Sequence, residues 1–145
     1  MGKEYLVIVQ CHIVKEQCSG YLCEMSFTKR RGRFSDYAEQ SPARMLSITC
    51  GGCTGRAVHR KLMGFLKTIK RAEGIEKDQV QVHLSSCITN DSFHGLPCPH
   101  LDYLKTIINE KLGLDLAYGT FISDTAEKRR AEGRYKSLPG NEKKT

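Results

Sequence analysis

The segment Met45-Leu46-Ser47-Ile48-Thr49-Cys50-Gly51-Gly52-Cys53-Thr54-Gly55-Arg56 joins an apolar run to the beginning of a helix. Residues 45–49 predict a strand, and Thr54 is a suitable cap for the helix. Two residues between Cys50 and Cys53 let both sulfurs reach one metal ion, one cluster or each other, and the glycines remove the Cβ atoms that would hinder the turn. The positive end of the helix favours thiolate over thiol. The segment therefore predicts a strand, a turn with a thiol pair, and a helix.

The same alternation of strands and helices continues through the chain. The remaining strands are predicted at residues 5–10, 80–84 and 116–118. Helices are predicted within 18–30, from the double glycine to Gly74, and from Pro99 to Gly113, and the last two each carry one apolar stripe. Strands that alternate with helices imply right-handed crossovers. We therefore expect a three-layer α/β fold, flavodoxin-like or Rossmann-like, with a mostly parallel four-stranded sheet covered by helices on both faces.

Length and composition predict one globular unit with a tail. The chain has 145 residues, seven cysteines and a formal net charge of +7. We expect an α/β metal-binding domain over residues 1–123 and a charged, helical or flexible tail over 124–145. The apolar run at residues 5–9 is too short for a signal peptide or a membrane span, so we expect a cytoplasmic protein without structural disulfides and without a membrane partner. The basic residues concentrate in 29–33 and in the tail without a nucleic-acid-binding motif, which argues against nucleic acid as a partner.

Cysteines occupy the ends of three predicted strands. Cys11 follows the first strand, Cys50 and Cys53 follow the second, and Cys87 follows the third. Because parallel strands end at the same edge of a sheet, these thiols should converge there, where α/β proteins bind ligands. Cys98 and His100 lie in the loop after the third strand and complete the principal candidates. The sequence therefore predicts a metal site at the carboxyl edge of the sheet.

Other cysteines and histidines are open to two interpretations. Cys18 is a further candidate ligand, and Cys23 lies within a predicted helix where packing explains it equally well. His12 follows Cys11 and is a possible ligand or outer donor. His59, His83 and His94 are interpreted as a surface, a strand and a loop residue.

Three short motifs stand out: Cys50-Gly51-Gly52-Cys53-Thr54-Gly55-Arg56, Leu84-Ser85-Ser86-Cys87-Ile88 and Cys98-Pro99-His100. Together they resemble the CGGC domain family of small proteins thought to bind a metal. The similarity spans roughly residues 5–120 and implies metal ligation by Cys11 and Cys18 as well. Members of the family commonly end the last strand with Thr-His, whereas here Phe121 follows Thr120.

Two principal functions follow from this pattern. The first is a metal-binding protein with zinc or an iron–sulfur cluster on Cys11, Cys50, Cys53, Cys87 and Cys98. One tetrahedral zinc ion takes four ligands, and the candidate thiolates number more than four, so the sequence does not decide between zinc and a cluster. The second is a thiol oxidoreductase or sulfur-handling enzyme that uses the Cys50/Cys53 dithiol. An interaction module acting through the basic tail is a third hypothesis, and the sequence names neither a substrate nor a protein partner.

Overall fold

The computed structural model describes residues 3–35, 37, 43–53, 56–89, 98–121 and 124–134. Three of the predicted features fall on residues outside these ranges. The helix cap at Thr54, the loop containing His94 and the tail after residue 134 lie outside the described residues. The predicted boundary at residue 123 between domain and tail stays a prediction.

Four parallel strands form one sheet, as the sequence predicts. They are β1 (Tyr5–Gln10), β2 (Arg44–Thr49), β3 (Val80–Leu84) and β4 (Asp115–Tyr118), in the order β2-β1-β3-β4. The chain passes from β1 to β2 on one side and then crosses to β3 on the other. This order is that of flavodoxin-like sheets, whose ligands bind at the carboxyl ends of the strands where the direction of winding reverses.

The two central strands are buried along their whole length. Every residue of β1 and of β3 is buried, which agrees with the continuous apolar run in β1. The edge strand β2 is only partly buried. Parallel sheets bury both faces of their central strands, so this pattern identifies β1 and β3 as the middle of the domain.

Helices cover both faces of the sheet and confirm the three-layer prediction. One face, through Val7 and Val9, packs against α2 (Arg56–Glu73) and α4 (Leu101–Lys105). The other face, through Leu6 and Ile8, packs against α1 (Tyr21–Thr28). The predicted apolar stripe of α2 faces the sheet, with Val58, Leu62 and Ile69 buried and Phe65 and Leu66 partly buried.

The chain departs from the predicted elements in two places. A short helix, α3 (Ser86–Thr89), begins directly after β3, where a loop was predicted. The helix after Pro99 continues from α4 as a π-helical segment, Thr106–Lys111, which keeps Ile107 and Ile108 buried. A further helix, α5 (Asp124–Ala131), matches the predicted charged helix. No helix within the described ranges is long and apolar enough to cross a bilayer.

His83 is a structural residue of the core. Its side chain is 1% exposed and lies in β3. Nδ1 is 3.0 Å from the carbonyl oxygen of Gly119, and Nε2 is 2.9 Å from the hydroxyl of Tyr37. A carbonyl only accepts hydrogen bonds, so Nδ1 carries a proton, and in the neutral ring Nε2 accepts from the hydroxyl of Tyr37. Both ring nitrogens are thus paired, which a buried imidazole requires.

Candidate metal centre

The double-glycine turn requires both glycines. Gly51 has φ +75° and Gly52 has φ +116°, a region that other residues rarely adopt. A Cβ on Gly51 would lie 2.2 Å from the Cβ of Ala57 in α2. The first glycine therefore lets α2 approach the end of β2 closely, and the second allows the chain to turn toward Cys53.

Side chains from α2 and from the end of β1 hold this turn in place. Lys61 of α2 donates from Nζ to the carbonyl oxygen and to Oγ1 of Thr49, at 2.9 Å each. The backbone N–H of His12 donates to Sγ of Cys50 at 3.4 Å. The ring nitrogen Nδ1 of His12 is 3.2 Å from Oγ1 of Thr49. No local sequence pattern indicates this bond from Lys61 to β2.

Four cysteines line one cavity at the carboxyl edge of the sheet. The cavity has a volume of about 30 Å³ and is lined by the thiols of Cys11, Cys50, Cys53 and Cys98. The exposed residues His12 and His100 also line it, and the other lining residues are Ile13, Gly52, Ile88 and Leu104. Four of the five cysteines in the principal prediction thus meet around one space.

Cys98 reaches the cavity because its backbone is tied to α3. Its N–H donates to the carbonyl oxygen of Ile88 at 2.7 Å. Burial raises the pKa of the Cys98 thiol. A hydrogen bond from the N–H of His100 lowers this pKa, whereas the nearby thiols of Cys50, Cys11 and Cys53 raise it further. Cys98 therefore lies within electrostatic range of the other three thiols.

Cys87 does not line this cavity, although it was predicted to join the other cysteines. Its Sγ is 2.8 Å from Oγ of Ser85. Burial raises the pKa of the Cys87 thiol, while the hydrogen bonds from Ser85 and from the backbone of Cys11 oppose the rise. The nearby Cys11 and Cys23 thiols raise it further. Cys87 thus lies in the first turn of α3, bonded to Ser85 and to the backbone of Cys11, and does not itself line the cavity.

The remaining sequence candidates lie outside the cavity lining. Cys18 accepts a hydrogen bond from the N–H of Gly20 at 3.4 Å. Cys23, in α1, has its Sγ 3.1 Å from Oγ1 of Thr120. Neither residue lines the cysteine cavity.

Thr120 joins β4 to α3 beneath the site. Its Oγ1 accepts from the N–H of Ser86 at 3.3 Å, and its own N–H donates to the Ser86 hydroxyl at 3.0 Å. The Ser86 hydroxyl also donates to the carbonyl oxygen of Phe121 at 2.9 Å. Thr120 and Ser86 therefore position α3, and with it Cys87 and Ile88, a role that no local sequence signal indicates.

The donor set suits a thiophilic metal ion, although the side chains do not form a closed coordination sphere. All seven cysteines lie in described parts of the chain and are free thiols. Among the described residues, no three side chains of histidine, cysteine, aspartate or glutamate are grouped so as to hold an ion. Thiolates and imidazoles are the ligands that zinc and iron–sulfur centres prefer. The chemistry of the cavity fits such a group, and its ligation requires the sulfurs to draw closer.

The thiols should differ in reactivity once metal has been removed. Cys53 is the one exposed cysteine, whereas Cys87 is partly buried with a raised pKa. Because the thiolate is the nucleophile, we expect brief treatment with iodoacetamide at neutral pH to modify Cys53 first and Cys87 last. Peptide mass spectrometry of the chelator-treated protein measures this order, and urea-denatured protein is the control. Equal rates for Cys53 and Cys87 in the folded protein would contradict the assignment.

The family comparison agrees with this geometry. The family model of the CGGC domain matches residues 5–121, which include all four strands and all seven cysteines. The chain belongs to the CGGC domain family. Within this CGGC domain the double-glycine turn lies between β2 and α2 and supplies two of the four thiols of the cavity. Neither the curated proteins nor the solved structures contain a significant match to the chain.

Proposed function

We propose that the protein binds one thiophilic metal ion through Cys11, Cys50, Cys53 and Cys98, with zinc as the first candidate. The observation that carries this proposal is the common cavity of these four thiols. Four thiolates are the full ligand set of a tetrahedral zinc ion. Such a site leaves no open coordination position, so a structural or metal-carrying role is favoured over hydrolysis.

The size of the cavity favours an ion over larger ligands. Its volume of about 30 Å³ exceeds the roughly 10–15 Å³ that one water molecule requires, so the cavity has room for an ion. An organic substrate needs a pocket of about 300 Å³ or more. An iron–sulfur cluster, with several irons and bridging sulfides, also occupies more space than a single ion, so its formation would require larger movements of the surrounding chain. Free thiols suit the reducing cytoplasm, where we place the protein.

Metal analysis of the purified protein tests the proposal. We expect protein purified without oxygen or chelator to contain about one zinc per chain and no acid-labile sulfide. Cys50→Ser combined with Cys53→Ser should remove this metal, because serine is a poor zinc ligand. Cys23→Ser is the matched control and should retain it, since Cys23 lies outside the cavity lining. Full metal content in the double variant would refute the site. Stoichiometric iron and sulfide in the unmutated protein would show that the site holds an iron–sulfur cluster and not zinc.

A thiol oxidoreductase is the second candidate, and the unequal exposure of the dithiol favours it. Cys53 is exposed, whereas Cys50 is partly buried and bonded to the N–H of His12. In this role the Cys53 thiolate attacks a substrate disulfide and releases one thiol. Cys50 then displaces the second thiol from the mixed disulfide and leaves a Cys50–Cys53 disulfide. Metal-free protein that forms this disulfide reversibly with glutathione would support the oxidoreductase over the metal site.

A further inference from the structure

A row of basic side chains runs along the exposed side of α2. The helix has 18 residues, of which six are lysine or arginine and only Glu73 is acidic. Lys61 bonds to Thr49, and Lys70 forms a salt bridge with Glu76. The other four cations are exposed and are called the basic stripe here: Arg56, Arg60, Lys67 and Arg71.

The basic stripe lies on the side of α2 that faces away from the domain. Its residues occupy positions i, i+4, i+11 and i+15 of the helix. Since each residue turns a helix by about 100° and advances it by about 1.5 Å, they lie within about 60° of one another over about 22 Å. The buried residues Val58, Leu62 and Ile69 lie on the opposite side and pack on the sheet. The stripe is therefore a straight, accessible row of positive charge.

No acidic group compensates this row within the part of the chain that the structure describes. None of the salt bridges there involves a residue of the basic stripe. The pairs Arg56/Arg60 and Lys67/Arg71 each place like charges four residues apart, a spacing that destabilises a helix. The domain thus carries a repulsion that an acidic partner on the stripe would remove.

A groove with a volume of about 270 Å³ lies at the beginning of the stripe. It is lined by residues of α2 and of the helix that starts at α4: Arg56, His59, Arg60, Tyr103, Ile107 and Lys111. Lys111 is exposed and adds another cation without a salt bridge among the described residues. Tyr103 is 44% exposed, and both tyrosine and arginine are enriched at protein interfaces. The groove therefore combines cationic walls with an exposed aromatic ring.

This groove adjoins the cysteine cavity. Leu104 lines the cavity, whereas Tyr103 and Ile107 of the same helix line the groove. On α2, Arg56 follows the cavity residue Cys53 by three positions. A molecule bound in the groove would thus lie beside the proposed metal site.

We propose that the basic stripe and the groove bind an acidic segment of a partner protein. Carboxylates of the segment pair with the four cations of the stripe and with Lys111. An apolar side chain of the segment enters the groove and packs on Tyr103 and Ile107. This interaction surface goes beyond the proposed metal binding, and only the choice of a protein as the occupant rests on the metal-carrying role.

Two other kinds of partner fit these observations less well. A helix that binds a lipid surface inserts its apolar side, but the apolar side of α2 is already packed on the sheet. Single-stranded nucleic acid is bound by rows of aromatic side chains, and the groove offers one tyrosine. An acidic protein segment needs only the charges and the small apolar groove that are present.

Fluorescence anisotropy with a labelled acidic peptide tests this surface. The probe is a short chain of glutamates with one central leucine, and its control is the same peptide with lysine in place of glutamate. We expect saturable binding of the acidic peptide to the full-length, metal-bound protein, weakening as the salt concentration rises. The stripe contains no metal ligand, so chelator-treated protein should bind the peptide too. Metal-free protein that binds the peptide would therefore refute only the metal site, and metal-loaded protein that does not bind it would refute only this surface.

Paired charge-neutralising variants locate the binding. Arg56→Gln combined with Arg60→Gln should weaken peptide binding at least about fivefold, and so should Lys67→Gln combined with Arg71→Gln. Each pair removes a like-charge repulsion, so the melting temperature should stay the same or rise.

Lys29→Gln combined with Arg31→Gln is the matched control. It lowers the net charge equally, and both residues are exposed just after α1, on the other face of the sheet. Its effect on peptide binding should be less than about twofold. Equal weakening by the control pair and the stripe pairs would show attraction to net charge alone and would overturn the proposal. Tighter binding of phosphatidylserine vesicles or duplex DNA than of the peptide, lost in the Arg56/Arg60 variant, would also overturn it.

Discussion

Phe34→Ala is expected to lower the free energy of unfolding by about 3–5 kcal/mol. Phe34 is 0% exposed in the smaller core, between α1 and the sheet. Its ring centroid lies 5.7 Å from that of Phe27 and 4.6 Å from that of His83. Truncation removes these contacts and opens a cavity beside the buried His83–Tyr37 hydrogen bond. Native domains have a free energy of unfolding of about 5–15 kcal/mol, so we expect part of the variant to be unfolded at physiological temperature.

Urea unfolding followed by circular dichroism measures this loss. Phe65→Ala is the matched control, because Phe65 is partly buried on the other face and packs its ring edge-on against Tyr5. We expect the Phe65 variant to lose less stability than the Phe34 variant. Phe34→Leu should recover part of the loss, since it refills much of the volume. A Phe34→Ala loss below about 1 kcal/mol would show that this core is not packed as described.

Cys98→Ser is expected to remove the bound metal, whereas Cys87→Ser should retain it. Sequence reasoning treated both residues as candidate ligands, but Cys98 lines the cysteine cavity and Cys87 does not. Replacing one of four thiolates should weaken metal affinity by more than about 100-fold. Even residues that do not touch the metal and only hydrogen-bond to its ligands change the metal affinity by about 10–100-fold when they are mutated. Serine at position 87 preserves a hydrogen bond to Ser85, so Cys87→Ser should also fold normally.

Competition with a chromogenic zinc chelator measures these affinities. The melting temperature of each chelator-treated variant is the control, since it separates loss of metal from loss of fold. If Cys87→Ser lost metal as completely as Cys98→Ser, Cys87 would be a ligand and the four-thiol assignment would be wrong. Equal retention by both variants would exclude Cys98.

The main elements of the fold could be predicted because their signals are local. The continuous apolar run of β1 and the apolar stripe of α2 each identify an element and the face that it buries. The double glycine identifies a turn whose backbone other residues rarely adopt. Since parallel strands end at one edge, the convergence of Cys11, Cys50 and Cys53 also followed.

The final composition of the cysteine cavity depended on contacts between distant residues. The unpredicted helix α3 begins at Ser86, and Cys87 in its first turn bonds to Ser85 and to the backbone of Cys11 without lining the cavity. Cys98 was also a predicted ligand, and its bond to Ile88 explains how it reaches the cavity from a later segment.

By itself, the sequence determined an α/β domain of the CGGC family with thiols at the carboxyl edge of its sheet. Tertiary structure alone decided which thiols share a cavity, how His83 is paired, and that Oε1 of Gln10 is buried without a hydrogen-bond partner. The physical reason is the distance along the chain over which each kind of interaction acts. Periodicity and turn chemistry act between near neighbours in the chain, whereas side-chain direction and pairing are set by the elements that pack around each residue.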